Sequence, residues 1–394
     1  MADERLPRET RFVVWRVLAD FELWTAERSP DLFWPRGIGF VRSLYPDELK
    51  GALKALEAIW ISPHLVDEGR MAGACEAIWL WAEAREHLEI ALQFAELAAR
   101  LEPDRADRAS TAGRLARRRG EFARGTVWFA RALRQATRDK DLINKAIAQL
   151  GWSALELELG NLGQAIHHAT KAFRAAMRAG RRSLAASASH DLMACYIHRE
   201  RYEEALMHSR SAVAMYKLDH PRFPGLAHDV AVLWSRLGYH SSALVVFQMI
   251  LADMQRVEDH TTALANIARS AAACRDRVSY QRAMEEALAA VKAKAPVRTS
   301  TYFHLAWAAR TYEDWTLAEK LAKAYLARCP DTHKPRARKL LEEICERKPG
   351  EADIIPDPGS ELEQSRTTLL RKLRRRAASG PDAATPPPER YPLG

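Results

Sequence analysis

Two His-Asp dipeptides, His190-Asp191 and His228-Asp229, stand 38 residues apart in a chain of 394 residues that holds 13 histidines, most of them in its middle third. A histidine beside a carboxylate is the raw material of a metal centre or of proton-transfer chemistry, so these pairs are the first place to look for activity. A metal site needs further ligands at helical spacing, and the H-E-x-x-H arrangement that supplies them is absent. His167 and His168 are neighbours, which on a helix turns them about 100° apart and away from a common ion. Glu156 and Glu158, Glu203-Glu204 and Glu285-Glu286 read as solvated helix flanks rather than acid–base couples. The chain has no G-x-x-x-x-G-K-[ST] phosphate loop, no G-x-S-x-G elbow and no dinucleotide glycine fingerprint. The sequence therefore assigns no catalytic, cofactor-binding or metal-ligating residue, and an enzyme is not the expected class.

The elements that must carry these side chains explain the pairs differently. Around His190 the apolar residues Leu192, Met193 and Tyr196 follow helical spacing, and so do Tyr202, Ala205, Leu206, Ser209 and Ala212 after the polar turn Arg199-Glu200-Arg201. This helical pair recurs. Small residues in the setting of Ala205 stand at Ala91, Gly125, Ala165, Ala243, Ala283 and Ala318, at successive spacings of 34, 40, 40, 38, 40 and 35 residues. Three residues before each stands an aromatic, leucine or histidine; small or apolar residues follow four and seven later, as in Phe122/Gly125/Phe129/Ala132 and Trp315/Ala318/Ala322/Tyr325. Gly120, Gly160 and Gly238 share one place in the turn, and Pro103 and Pro330 close second helices, where a residue without an N–H cannot continue them. A small residue where two helices cross lets their backbones approach, and large neighbours fill the space beside it.

This pattern resembles the tetratricopeptide (TPR) family, in the bacterial type whose repeats run to about 34–40 residues. Tyr196 and Trp234 are the best matches to the aromatic of its first helix. The resemblance implies an all-α chain, an α-solenoid in which TPR-like helix–turn–helix repeats wind into a right-handed superhelix. On that reading the His-Asp pair recurs because the repeat recurs, with His190 and His228 at equivalent places on successive first helices.

Three regions are expected. Residues 1–70 form an N-terminal helical cap with a degenerate repeat, including an aromatic-rich helix over 9–28 and a loop carrying Phe33, Trp34 and Phe40. Residues 71–348 form the solenoid and its C-terminal capping helix, whose Ala337, Leu340, Leu341 and Ile344 face inward and whose charged face meets water. Residues 349–394 form a Pro- and Gly-containing linker, a short basic helix near 361–378 and a disordered tail. Six cations without an acid crowd 366–376, and that helix has three readings: phosphate contact, an anionic membrane surface, or folding back on the solenoid.

Net charge is +9, from 60 basic and 51 acidic residues, which is a mixed surface rather than a nucleic-acid signature. The family resemblance implies that first helices line a concave binding face. The in-phase positions there are Arg114, Arg117, Arg118, His190, His198, His228, Arg236, Arg275, Trp307 and Arg310. Such a groove takes a protein or peptide, with acidic side chains or a terminal carboxylate as the matching chemistry. The expected function is a non-enzymatic scaffold or adaptor. The alternatives are a peptide-responsive regulator of a signalling or transcription partner, and a nucleic-acid-associated protein acting through the basic helix. No cofactor is expected. Five scattered cysteines without a CxxC pair, no secretory leader and no apolar run of about 20 residues fit a cytoplasmic protein without a membrane span.

Overall fold

The computed structural model describes residues 47–61, 67–254, 256–348, 350 and 352–378. The aromatic segments expected over 9–28 and 33–40, and the tail after 378, lie outside these. Among the described residues there are 17 α-helices and no strand. They are α1 (Lys50–Ile61), α2 (Glu68–Ala84), α3 (Leu88–Leu101), α4 (Ala106–Arg118), α5 (Phe122–Arg138), α6 (Leu142–Glu158), α7 (Leu162–Arg178) and α8 (Arg182–His198). Then come α9 (Tyr202–Met215), α10 (Phe223–Arg236), α11 (His240–Ile250), α12 (Val257–Ala273), α13 (Arg277–Lys292), α14 (Thr299–Thr311), α15 (Trp315–Arg328), α16 (Lys334–Cys345) and α17 (Glu361–Ala378).

Second helices begin where the recurring pattern places its large turn residue: Leu88, Phe122, Leu162, Tyr202, His240 and Trp315 each open one. The small residue three positions on is buried in every case, with Ala91, Ala165, Ala205, Ala243 and Ala318 at 0 % exposure. Left-handed residues end the helices at Gly120, Lys140, Gly160, Gly180 and Glu200, a step of 20 residues each time. In each such turn a backbone N–H just past the helix returns to a carbonyl of its last turn, as from Glu121 to Ala116 and from Asp141 to Ala136. The 40-residue repeat in this stretch is therefore two half-tiles of equal length.

The chain divides into two compact units, one ending at Asp191 and one beginning at Leu192. In the N-terminal unit, α4 packs against α3, α5 and α6, and α6 against α5 and α7, so first helices touch first helices along the stack. The closest approach involves glycine. Phe129 lies between Gly113 of α4 and Gly151 of α6, and a Cβ on either would strike its ring, at 2.9 Å from Gly113. Gly125 of α5 is pressed against Leu155, 2.8 Å from where its Cβ would be, and against the Gly113 carbonyl. In the C-terminal unit α12 packs against α10, α11, α13 and α14, and α14 against α15 and α16. The core there holds Trp234, Phe223, Phe247 and Tyr216, all essentially buried. The loop expected over 217–225 is shorter: Pro224 sits in the first turn of α10, where its missing N–H has no partner to lose.

Candidate functional site

The first-helix cations of the N-terminal unit are joined to carboxylates of neighbouring helices. Arg114 is 5 % exposed and grips Glu83 of α2 through two hydrogen bonds; Arg118 reaches the same carboxylate at 2.5 Å and also Glu86. Burial pushes the Glu83 carboxyl up, but Arg114 and Arg118 together outweigh it and hold it below the ordinary carboxylate range. Arg117 pairs with Glu158 of α6, and Arg108 with Glu76 and Glu102. Arg114, Arg117 and Arg118 thus bind first helix to first helix, and the rung they form is a staple of the scaffold. His190 is buried at 5 % exposure.

The C-terminal unit arranges its first helices differently. His228 on α10 receives a hydrogen bond at Nε2 from the Asn266 amide of α12 (3.2 Å) and turns Nδ1 to the Asp229 carboxylate (3.1 Å), which fixes the Nδ1–H tautomer. Its ring stands edge-on to Phe247 at 5.4 Å. One helix further, Arg269 of α12 lies over the indole of Trp307 on α14, 4.3 Å from the ring. His304 of α14 is buried, and its imidazole is held far below the usual range by that burial, with Arg269, Arg236 and His228 adding to the push.

Arg236 is common to two of these neighbourhoods. It lies within electrostatic reach of His304 and also of His198, at the end of α8. His198 is exposed at its tip yet hemmed by protein. Partial desolvation lowers its pKa; Arg236 and His333 press the same way, and Asp229 opposes them. Four of the groove positions read from the sequence, His198, His228, Arg236 and Trp307, therefore fall in one neighbourhood of this unit. Asn266, Arg269 and His304 belong with them and were not anticipated. The signal was present: His228, Asn266 and His304 step by 38 residues, as do Arg269 and Trp307. A search for identical residue types misses a rung in which asparagine replaces histidine.

Arg275 and Arg310 sit elsewhere, at the ends of first helices. Arg275 donates to the Thr311 carbonyl (3.1 Å), and Arg310 to the Lys348 carbonyl (2.9 Å) and to Glu343 (2.5 Å). Past Lys348 the chain turns back across the repeats. Gly350 lies against Thr311 after α14, and Asp353 presses on Cys274 after α12 and accepts from the Ser241 N–H at the start of α11 (2.9 Å). Ile354 N–H donates to the Gly238 carbonyl after α10 (2.8 Å). The basic helix α17 then docks on the same unit. Leu362, Leu369, Leu370 and Leu373 are buried, and Lys372 donates to the carbonyls of Val213 and Tyr216 that α9 leaves open. Arg376 donates to the Leu218 carbonyl (2.6 Å), while Arg371 and Arg374 face outward. Of the three readings of this helix, folding back on the scaffold is the one the structure shows.

Among the described residues no cluster of three or more His, Cys, Asp or Glu side chains could hold a metal ion, and no helix is long and apolar enough to cross a membrane.

No family model matches the chain, and no curated protein matches it. Solved structures do. The apo form of RapI superposes with a TM-score of 0.53 at 11 % identity, over 85 % of this chain and 97 % of RapI. A Rap protein complexed with competence and sporulation factor gives 0.48 at 11 % identity, over 86 % and 97 %. A tetratricopeptide repeat protein from Parabacteroides merdae gives 0.44 at 14 % identity, over 70 % and 98 %. At these identities the likeness is one of fold: this chain is built of TPR-like helical repeats.

Proposed function

We propose that the chain is a non-enzymatic repeat scaffold that takes an acidic protein or peptide segment on the first-helix face of its C-terminal unit. The observation that carries this reading is the neighbourhood of Arg236, Arg269, His198, His228 and His304, with Trp307 beside it and Asp229 as its counter-charge. Arginines in a protein wall bind carboxylates with two parallel hydrogen bonds, and desolvation strengthens each of them. A stacked arginine–indole pair gives the flat surface on which a peptide side chain can lie. The adaptor role, the acidic partner and the use of this face belong to the proposal; the likeness to a Rap protein holding a peptide factor motivates the choice of probe.

The test is fluorescence polarisation with labelled peptides rich in Asp and Glu, set against the same peptides carrying Asn and Gln. The acidic set is expected to bind, to weaken as salt rises, and to lose about tenfold or more in affinity on Arg236→Glu. Lowering the pH from about 7.5 to about 5.5 charges histidines in the neighbourhood and strengthens binding. Equal binding of acidic and neutral peptides, or an Arg236→Glu variant that is folded by circular dichroism and binds as before, would refute the proposal.

A further inference from the structure

The docked C-terminal helix does not close fully on the scaffold. Between α17 and the pair α9–α10 lies a cavity of about 270 Å³, near the lower end of ligand pockets, which run from roughly 300 Å³ upward. Val213, Val230 and Leu369 give it apolar walls, and Thr368 and Gln364 of α17 a polar side. Its hydroxyls are committed: Ser209 donates to the Leu206 carbonyl (2.8 Å) and Ser365 to the Glu361 carbonyl (2.9 Å). Two donors on the lining have no acceptor. One is the indole N–H of Trp234, a residue at 0 % exposure; the other is Nε of Arg210, whose outer nitrogen pairs with Glu361 at 2.5 Å. A buried N–H without a partner is a standing penalty that a bound acceptor removes. What this lining lacks is an acceptor, and one of its two open donors belongs to a cation.

The geometry points to a small-molecule site here, for a compact carboxylate with an apolar body, held between the scaffold and its own C-terminal helix. The carboxylate satisfies Trp234 and Arg210, and the body fills the space among Val213, Val230 and Leu369. Because α17 supplies one wall, an occupied site also holds that helix down. This inference is independent of the peptide-binding proposal, which concerns other residues of the unit.

The experiment uses the full chain with ¹⁵N-labelled tryptophan, the Trp234 indole signal being assigned as the one missing in Trp234→Phe. Phenylacetate is the probe and 2-phenylethanol, which has similar bulk and no charge, its control. Phenylacetate is expected to shift the Trp234 signal saturably with a submillimolar Kd, and 2-phenylethanol at least about tenfold more weakly. Ser365→Leu, which fills the cavity from the α17 side, is expected to abolish the phenylacetate response while α17 stays docked, shown by unchanged protease resistance of residues 361–378. A Trp234 signal unmoved at about 10 mM phenylacetate means that water alone satisfies the lining and overturns the inference. So does an undiminished response in Ser365→Leu.

Discussion

His168 lies flat against Trp152, ring centroids 4.6 Å apart, and its Nδ1 donates to the Gln149 side-chain oxygen at 2.6 Å. Burial lowers its pKa from 6.5 to about 4; the neighbouring His167 and Lys171 add to the shift, and Glu156 opposes it. The unfolded chain therefore takes up a proton near the ordinary histidine pKa that the folded chain refuses until about pH 4. Stability should be unaffected above neutrality and should fall as pH drops through that window, by up to ~2 kcal/mol after allowing for solvent screening. Urea unfolding at about pH 7 and about pH 5 measures the slope, and His168→Gln is expected to flatten it. His304, buried and depressed in the same direction, contributes with the same sign and leaves a residual slope in the variant. A slope unchanged by His168→Gln would show that the acid response arises elsewhere.

At the scale of the element, the contact of helix with helix is set by what is missing from side chains. Phe129 fills the space that Gly113 and Gly151 leave on two successive first helices. Gly151→Ala should displace the ring and cost about 1–3 kcal/mol, despite alanine's better helix propensity. Gly73, with open space around its would-be Cβ, is the control, and Gly73→Ala should be neutral or mildly stabilising. Denaturant midpoints of the two variants separate packing from propensity. Periodicity made the helices legible in the sequence: Leu88, Phe122, Leu162, Tyr202, His240 and Trp315 mark where second helices begin, because each must reach into the same crossing. The candidate site was legible only in part. Sequence phase placed His228, Arg236 and Trp307 on first helices, but phase is blind to pairing. Glu83 and Glu86, 31 to 35 residues before the arginines they hold, convert Arg114 and Arg118 from groove cations into scaffold.

Across the whole molecule, the longest-range contacts among the described residues belong to the return of the chain after α16. Lys372 reaches carbonyls 159 and 156 residues earlier, at the end of α9. A solenoid is held together by neighbours alone, so a strap that joins Thr311, Cys274 and Gly238 and then caps α9 adds long-range order to a local architecture. Lys372→Met keeps the stem packed but leaves those carbonyls without their donor. It is expected to lower the stability of the C-terminal unit by about 1–2 kcal/mol, and to raise amide exchange over α9 while leaving α4 to α7 unchanged. Removal of residues 352–394 should do the same more strongly, since Leu362, Leu369, Leu370 and Leu373 lose their cover together. Equal exchange in wild type and both variants would mean that the strap rides on the surface without holding anything.

The even step of the left-handed turns has a further consequence. Gly120 and Gly160 close consecutive repeats with backbone angles of 77° and 78°, so the chain enters and leaves that repeat through the same bend. A segment bounded by identical bends can be cut out or copied in without altering the joint on either side. The repeat from Glu121 to Gly160 is in this sense a module with matched ends, and the length of the array is a quantity that gene duplication can change one whole tile at a time.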